Sequence, residues 1–152
     1  MNQKIVGSVG EKLIRKALKV SKVKFIFDAP ISFAFNKYPA ELSRKRYDFV
    51  LIDSDLMPIA CIEYDGQQHY EPKWYGRSLA EFKMACDSDE AKTHFCEENK
   101  LPLLRIRYDQ NDLIEDLISD FLAHPRSYIK KHNPEISNKE YFAARTAYLQ
   151  AC

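Results

Sequence analysis

Two short segments rich in β-branched and aromatic residues flank a run of turn formers. The first is Tyr47-Asp48-Phe49-Val50-Leu51-Ile52, and the second is Ile59-Ala60-Cys61-Ile62-Glu63-Tyr64-Asp65, continuing into Gly66-Gln67-Gln68-His69. Between them lies Asp53-Ser54-Asp55-Leu56-Met57-Pro58, so the spacing predicts a β-hairpin. The acids within it are what an ordinary hairpin lacks. Asp48 is expected to open the first strand, and Glu63 and Asp65 to close the second on one shared face, because strand side chains alternate. Desolvating carboxylates is costly, so acids gathered at one end of a sheet call for a counter-charge, and a divalent cation held by oxygen ligands is the candidate.

The rest of the chain reads as elements to pack around that hairpin. Residues 3–20 have helical periodicity in Ile5, Val9, Leu13, Ile14, Ala17 and Leu18, with Ser8 and Glu11 spaced as a capping box. Residues 23–35 read as extended, with a break at Ala29-Pro30. Leu79 to Cys96 reads as helix, broken near Asp87, and Lys100 to Tyr108 as a buried strand. Asn111 to Leu122 reads as an amphipathic helix capped by Asn111 or Asp109, and Asn138 to Gln150 as a terminal helix. This order predicts an α/β fold, a mixed sheet sandwiched by helices, with the last strand joining in parallel after its crossover helix. The expected organisation is a core over residues 1–124 and a helical extension over 125–152 packed on the same domain.

A chain of 152 residues, 45% hydrophobic and 30% charged, suits one soluble domain. No apolar run approaches the roughly 20 residues that span a bilayer, and the lysine-rich start does not read as a signal peptide, so a cytoplasmic location is expected. Cys61, Cys86, Cys96 and Cys152 have no CxxC spacing and are expected to be reduced thiols. The formal net charge is only +1, but residues 1–24 hold seven lysines and arginines against the single acid Glu11, and Arg44-Lys45-Arg46 directly precedes Asp48. Such flanking charge suits a polyanion whose phosphate must reach the acids; a solvated helix face and a basic loop would carry the same residues.

Asp48 and Glu63 on neighbouring antiparallel strands would have Cβ atoms about 5 Å apart, close enough to share one ion. Asp65 would be a third ligand or would position water. Gly66 permits the turn that brings His69 back toward the acids as a proton-transfer group. Asp89, on the following helix, is the best candidate to accept from the other imidazole nitrogen.

Five elements in order carry a resemblance: Gly10-Glu11, Arg46-Tyr47-Asp48-Phe49, Ile62-Glu63-Tyr64-Asp65-Gly66-Gln67-Gln68-His69-Tyr70, Asp89-Glu90-Ala91-Lys92 and Leu103-Leu104-Arg105-Ile106-Arg107-Tyr108. Together they resemble the PD-(D/E)XK nuclease superfamily, in the branch with the very short patch repair endonuclease and the phage EDxHD homing endonucleases. The resemblance covers roughly residues 5–120. It implies a restriction-endonuclease-like core and a DNA endonuclease dependent on Mg²⁺, with Mn²⁺ able to substitute. Glu11 would be the helix acid near the attacking water, Asp48 the principal metal ligand, Glu63 and Asp65 the second metal edge, His69 the proton-transfer residue and Asp89 its partner. DNA contacts would come from Lys12, Arg44, Lys45, Arg46, Gln67, Gln68, Lys92 and Arg105, in a single copy or a homodimer or larger assembly. Two features depart from the pattern. The superfamily's usual lysine two residues after the second acid is replaced by Asp65, which puts more of the work on His69. No cysteine stands beside Gly66 to build the repair enzyme's zinc cluster, so the phage or homing members fit better.

Each residue alone has a plainer reading. Glu11 can be a cap, Asp48 a strand-end acid paired with Lys45 or Arg46, His69 a loop histidine, and Asp89 an ordinary helix acid. Arg105 and Arg107 either contact phosphate or pair with the acids of residues 109–120, and Trp74 and Tyr75 either stack on DNA or pack in the core. Two other functions compete: a nuclease of the same fold acting on RNA or branched DNA, and a catalytically silent binding module.

Overall fold

The computed structural model describes residues 7–67 and 78–131. Helix α1 (Val9–Val20) leads into strand β1 (Lys24–Pro30) and a single helical turn, α2 (Ile31–Ala34). The hairpin follows as β2 (Arg46–Ile52) and β3 (Pro58–Asp65), then α3 (Leu79–Glu98), β4 (Leu103–Arg107), α4 (Ile114–Ala123) and the short α5 (Tyr128–Lys131). The four strands form one mixed sheet in the order β1-β2-β3-β4. The first three are antiparallel, and β4 runs parallel to β3 with Glu63 beside Arg105 and Asp65 beside Arg107.

Strand alternation divides the core. Phe49, Leu51, Ala60, Ile62, Leu104 and Ile106 face Ile14 and Leu18 of α1 and Ile118 and Phe121 of α4. Val50, Cys61 and Leu103 face the other way, with Cys96 of α3. The fold is therefore a sheet with helices on both faces, as expected for its element order. Tyr128 extends the first layer, its ring edge-on to Phe121 at 4.8 Å, so the residues just past Pro125 pack on the same core. Cys61, Cys86 and Cys96 are buried free thiols, and no described helix is long and apolar enough to cross a membrane.

Helix α1 starts where the sequence predicts. Ser8 Oγ accepts from the Glu11 N–H at 3.2 Å, and Glu11 Oε1 accepts from Ser8 in return. Gly10 is required by contact: a Cβ there would lie 2.0 Å from the Tyr64 ring, so α1 rests directly on β3. The hairpin turn is held by Asp53 Oδ1, which accepts from the N–H groups of Asp55 and Met57 at 2.9 Å each.

Four local expectations are corrected. Residues 31–34 are helical rather than extended, because burying both Ile31 and Ala34 against β1 and β2 needs a turn spacing that a strand does not offer. Helix α3 runs unbroken through Asp87. The last helix begins as a 3-10 segment over Tyr108–Leu113, and α4 itself starts after Leu113 with no side-chain cap. Asn111 instead accepts from the Tyr64 hydroxyl at 2.9 Å, and Asp109 pairs with Arg107, which removes both expected caps. Asp48 is the third residue of β2, not its first.

Candidate active site

At Asp48 the regular ladder gives way. The β2–β3 register runs only from Phe49–Ile62 to Ile52–Pro58. One step further, the Tyr64 N–H donates to Asp48 Oδ2 at 2.7 Å, so a side chain takes the place of a strand carbonyl. On the other side, the register sets Asp28 opposite Asp48, and Asp28 has φ 52°, a left-handed conformation that Asp tolerates better than most residues. The Arg46 guanidinium fixes this bend by donating to Asp28 Oδ1 at 2.9 Å and to the Asp28 carbonyl. The strand twists here, so Tyr47 faces α3 although Phe49, two residues on, faces α1.

The bend brings Asp48 and Glu63 together. Their carboxyl groups are hydrogen-bonded to each other, and Glu63 is only 4% exposed. Burial first, then the neighbouring Glu63, pushes the Asp48 carboxyl up to about 9, against smaller opposing contributions from the Tyr64 N–H and Lys92. Asp48 therefore keeps its proton near neutral pH and donates it to Glu63.

Lys92 reaches the pair from α3. Its Nζ donates to Glu63 Oε1 at 2.8 Å and to the Arg46 carbonyl at 3.0 Å, and it lies 5.6 Å over the Tyr47 ring. Burial lowers its pKa, but the Glu63 and Asp89 carboxylates outweigh burial and leave it raised, so the ammonium stays charged. Sequence reasoning placed Lys92 among the DNA contacts. The correction is that it stands inside the fold, bound to an acid. No apolar stripe marks that side of α3: Asp89, Lys92, Thr93 and Cys96 recur at three- and four-residue intervals and are all buried, but three of the four are polar.

Asp65 is placed differently. Arg105 Nη1 donates to Asp65 Oδ1 at 2.8 Å, Nε to Thr93 Oγ1 at 2.9 Å, and Nη2 to the Asp89 carbonyl at 3.0 Å. The guanidinium is thus held on three sides. Burial works against its charge, but Asp65, Asp89 and Glu63 raise its pKa overall. Asp65 is engaged by Arg105 through Oδ1, and one expectation changes as a result: Arg105 is an interior strut, not a surface phosphate contact. Among the described residues, no three Asp, Glu, His or Cys side chains converge on one point.

The remaining expected residues fall into three groups. Glu11 caps α1, one residue from the Gly10–Tyr64 contact and so across the sheet from the acid pair. Asp89 is buried on α3, where its charge supports both Lys92 and Arg105. Lys12 and Arg44 are exposed, Lys45 and Gln67 half-buried, and Arg46 is engaged with Asp28. His69 and Gln68, with Trp74 and Tyr75, lie outside the described residues, as does any pairing of His69 with Asp89.

In donor chemistry the Asp48–Glu63 pair fits a hard divalent cation. Mg²⁺ commonly takes one or two carboxylates and fills its other positions with water and phosphate oxygens.

No protein of curated function and no solved structure matches the chain. A family described as "Protein of unknown function (DUF2726)" matches over residues 30–124, a segment that contains the acid pair, Asp65, Asp89, Lys92 and Arg105 but not α1. The chain belongs to this family.

Proposed function

We propose that the protein is a metal-dependent DNA endonuclease of the PD-(D/E)XK type. One observation carries the reading: Asp48 and Glu63 meet on adjacent strands, with the ammonium of buried Lys92 2.8 Å from Glu63 Oε1. The element order α1-β1-β2-β3-α3-β4 around a mixed sheet supports it. So does the source of the lysine, because Lys92 brings an ammonium from α3 to the acid pair although position 65 lacks one.

In this reading Asp48 and Glu63 hold the cation. When bound, Mg²⁺ supplies a Lewis acid for the phosphoryl oxygen and favours ionisation of the attacking water. The chain's own groups do the rest. Asp48 gives up the proton it shares with Glu63, and Lys92 exchanges part of its contact with Glu63 for the charge developing on the phosphate. The Tyr64 N–H keeps Asp48 aimed at the pair. His69 would transfer a proton, with Asp89 on the α3 side of the sheet as its orienting carboxylate.

Cleavage of supercoiled plasmid and of labelled duplex in Mg²⁺ tests the proposal. Asp48→Asn, Glu63→Gln and Lys92→Met are each expected to reduce cleavage by about 10²-fold or more. Full activity in all three would remove the proposal. Single-stranded, junction and RNA substrates run alongside would show whether another phosphodiester is preferred.

A further inference from the structure

We infer that the exposed face of α1 is a track for the phosphate backbone, on which Lys12, Lys16 and Lys19, with Arg15, hold a duplex several nucleotides from the bond that is cut. The inference rests on the nuclease reading and names the surface that anchors its substrate.

Charge accounting comes first. Arg46, Lys92, Arg105 and Arg107 are committed to Asp28, Glu63, Asp65 and Asp109. Lys12, Lys16 and Lys19 make no side-chain ion pair with any described residue. They recur at helical spacing and, with Arg15 and Val20, line a groove of about 380 Å³. Arg15 is steadied by the Phe27 ring, 4.8 Å from its guanidinium carbon.

Position comes second. The start of α1 touches Tyr64 through Gly10, and the Tyr64 N–H is bound to Asp48. The cation row thus begins one residue past Glu11, at the end of β3 that carries Glu63 but on the opposite face of the sheet from the acid pair, and runs away from that end. From Lys12 to Lys19 the helix rises about 10 Å, which matches about three phosphates of one strand along a duplex axis.

An anionic lipid surface is the rival occupant, since Val9 and Val20 are exposed on the same helix. Ile14, Ala17 and Leu18 of α1 are spent on the core, and Val9, Leu13 and Val20 are the apolar side chains of the helix left exposed. The row of Lys12, Arg15, Lys16 and Lys19 along one side of the helix matches the regular charge spacing of a phosphate backbone.

The test is fluorescence anisotropy of a labelled duplex about two helical turns long, in chelator, with salt raised from about 50 to about 200 mM. The Lys12→Gln/Lys16→Gln/Lys19→Gln variant is compared with wild type and with Lys24→Gln/Lys100→Gln, exposed lysines at the far end of the sheet. Circular dichroism checks that each variant is folded. Removing three phosphate contacts should make the salt slope shallower by about 2–3, so that the triple variant loses about 40-fold less affinity over this range than wild type. The control should keep the wild-type slope. An unchanged slope in the triple variant overturns the inference, as does equal flattening in the control. So does triple-variant loss of binding to phosphatidylserine vesicles with duplex binding intact. Cleavage that depends on Asp48 alongside an unchanged slope would reject the track and keep the nuclease. A wild-type protein that neither binds nor cuts duplex would reject both.

Discussion

Glu63 and Asp65 stand two residues apart on one face of β3, both buried, and they are neutralised in opposite ways. Asp65 meets one guanidinium whose nitrogens are all engaged on α3 and β3. Its negative charge has a full positive partner, bound through Oδ1 and fixed by Thr93 and the Asp89 carbonyl, and such pairing is what makes a buried charge tolerable. Glu63 meets a second acid. Its lysine covers one carboxylate, and the excess is removed by keeping a proton on Asp48. The first pair is a charge-for-charge match made through one carboxylate oxygen, Oδ1. The second is short of one positive charge and makes up the difference with a proton that a cation can displace. On the proposed reading, that difference separates a structural ion pair from a site.

Breaking the two pairs should therefore give unequal results. Arg105→Met leaves Asp65, 1% exposed, without its counter-charge, and unfolding in urea should show a loss of about 3–5 kcal/mol. Lys92→Met leaves Glu63 with the hydrogen bond from Asp48, so the same measurement should show about 1–3 kcal/mol. A Lys92 variant as unstable as the Arg105 variant would mean that the two acids are not differently buffered.

The proton on Asp48 sharpens the comparison through pH. The group ionises near 3.8 in the unfolded chain and about 9 in the fold, so the folded state binds the extra proton. Its stabilising contribution is complete below pH 4, declines as pH rises through that window and is gone above about 9. The slope it adds is at most about 1.4 kcal/mol per pH unit. Asp48→Asn, neutral at every pH, should flatten that part of the stability profile. An identical profile in wild type and Asp48→Asn would place the proton elsewhere. The smallest effect belongs to Glu11→Ala, which removes half of the capping box and should cost about 1 kcal/mol by thermal melting.

The hairpin, its turn, the crossover helix and the parallel fourth strand were legible because period and turn chemistry act locally. The hairpin register placed Asp48 and Glu63 near one another, although it ends at Phe49–Ile62 and the bend beyond it completes their meeting. Lys92 was not legible. Helix α3 covers a polar site, so its inward face is itself polar, with Asp89, Lys92 and Thr93, and an apolar stripe cannot reveal which side is buried. Nor was the role of Asp65, since strand alternation puts it on the correct face but only the parallel pairing of β3 with β4 brings Arg105 beside it. The bend at Asp48 depends on Asp28 and Arg46, eighteen residues apart, and no local pattern announces it.

Titration calorimetry with Mn²⁺ at neutral pH, repeated in buffers of different ionisation enthalpy, tests the central claim most directly. The account predicts that wild type binds an ion and releases close to one proton as it does so, and that Asp48→Asn loses both the binding and the release. Binding of Mn²⁺ that is unaltered in Asp48→Asn, or no binding by the wild type at all, would contradict it.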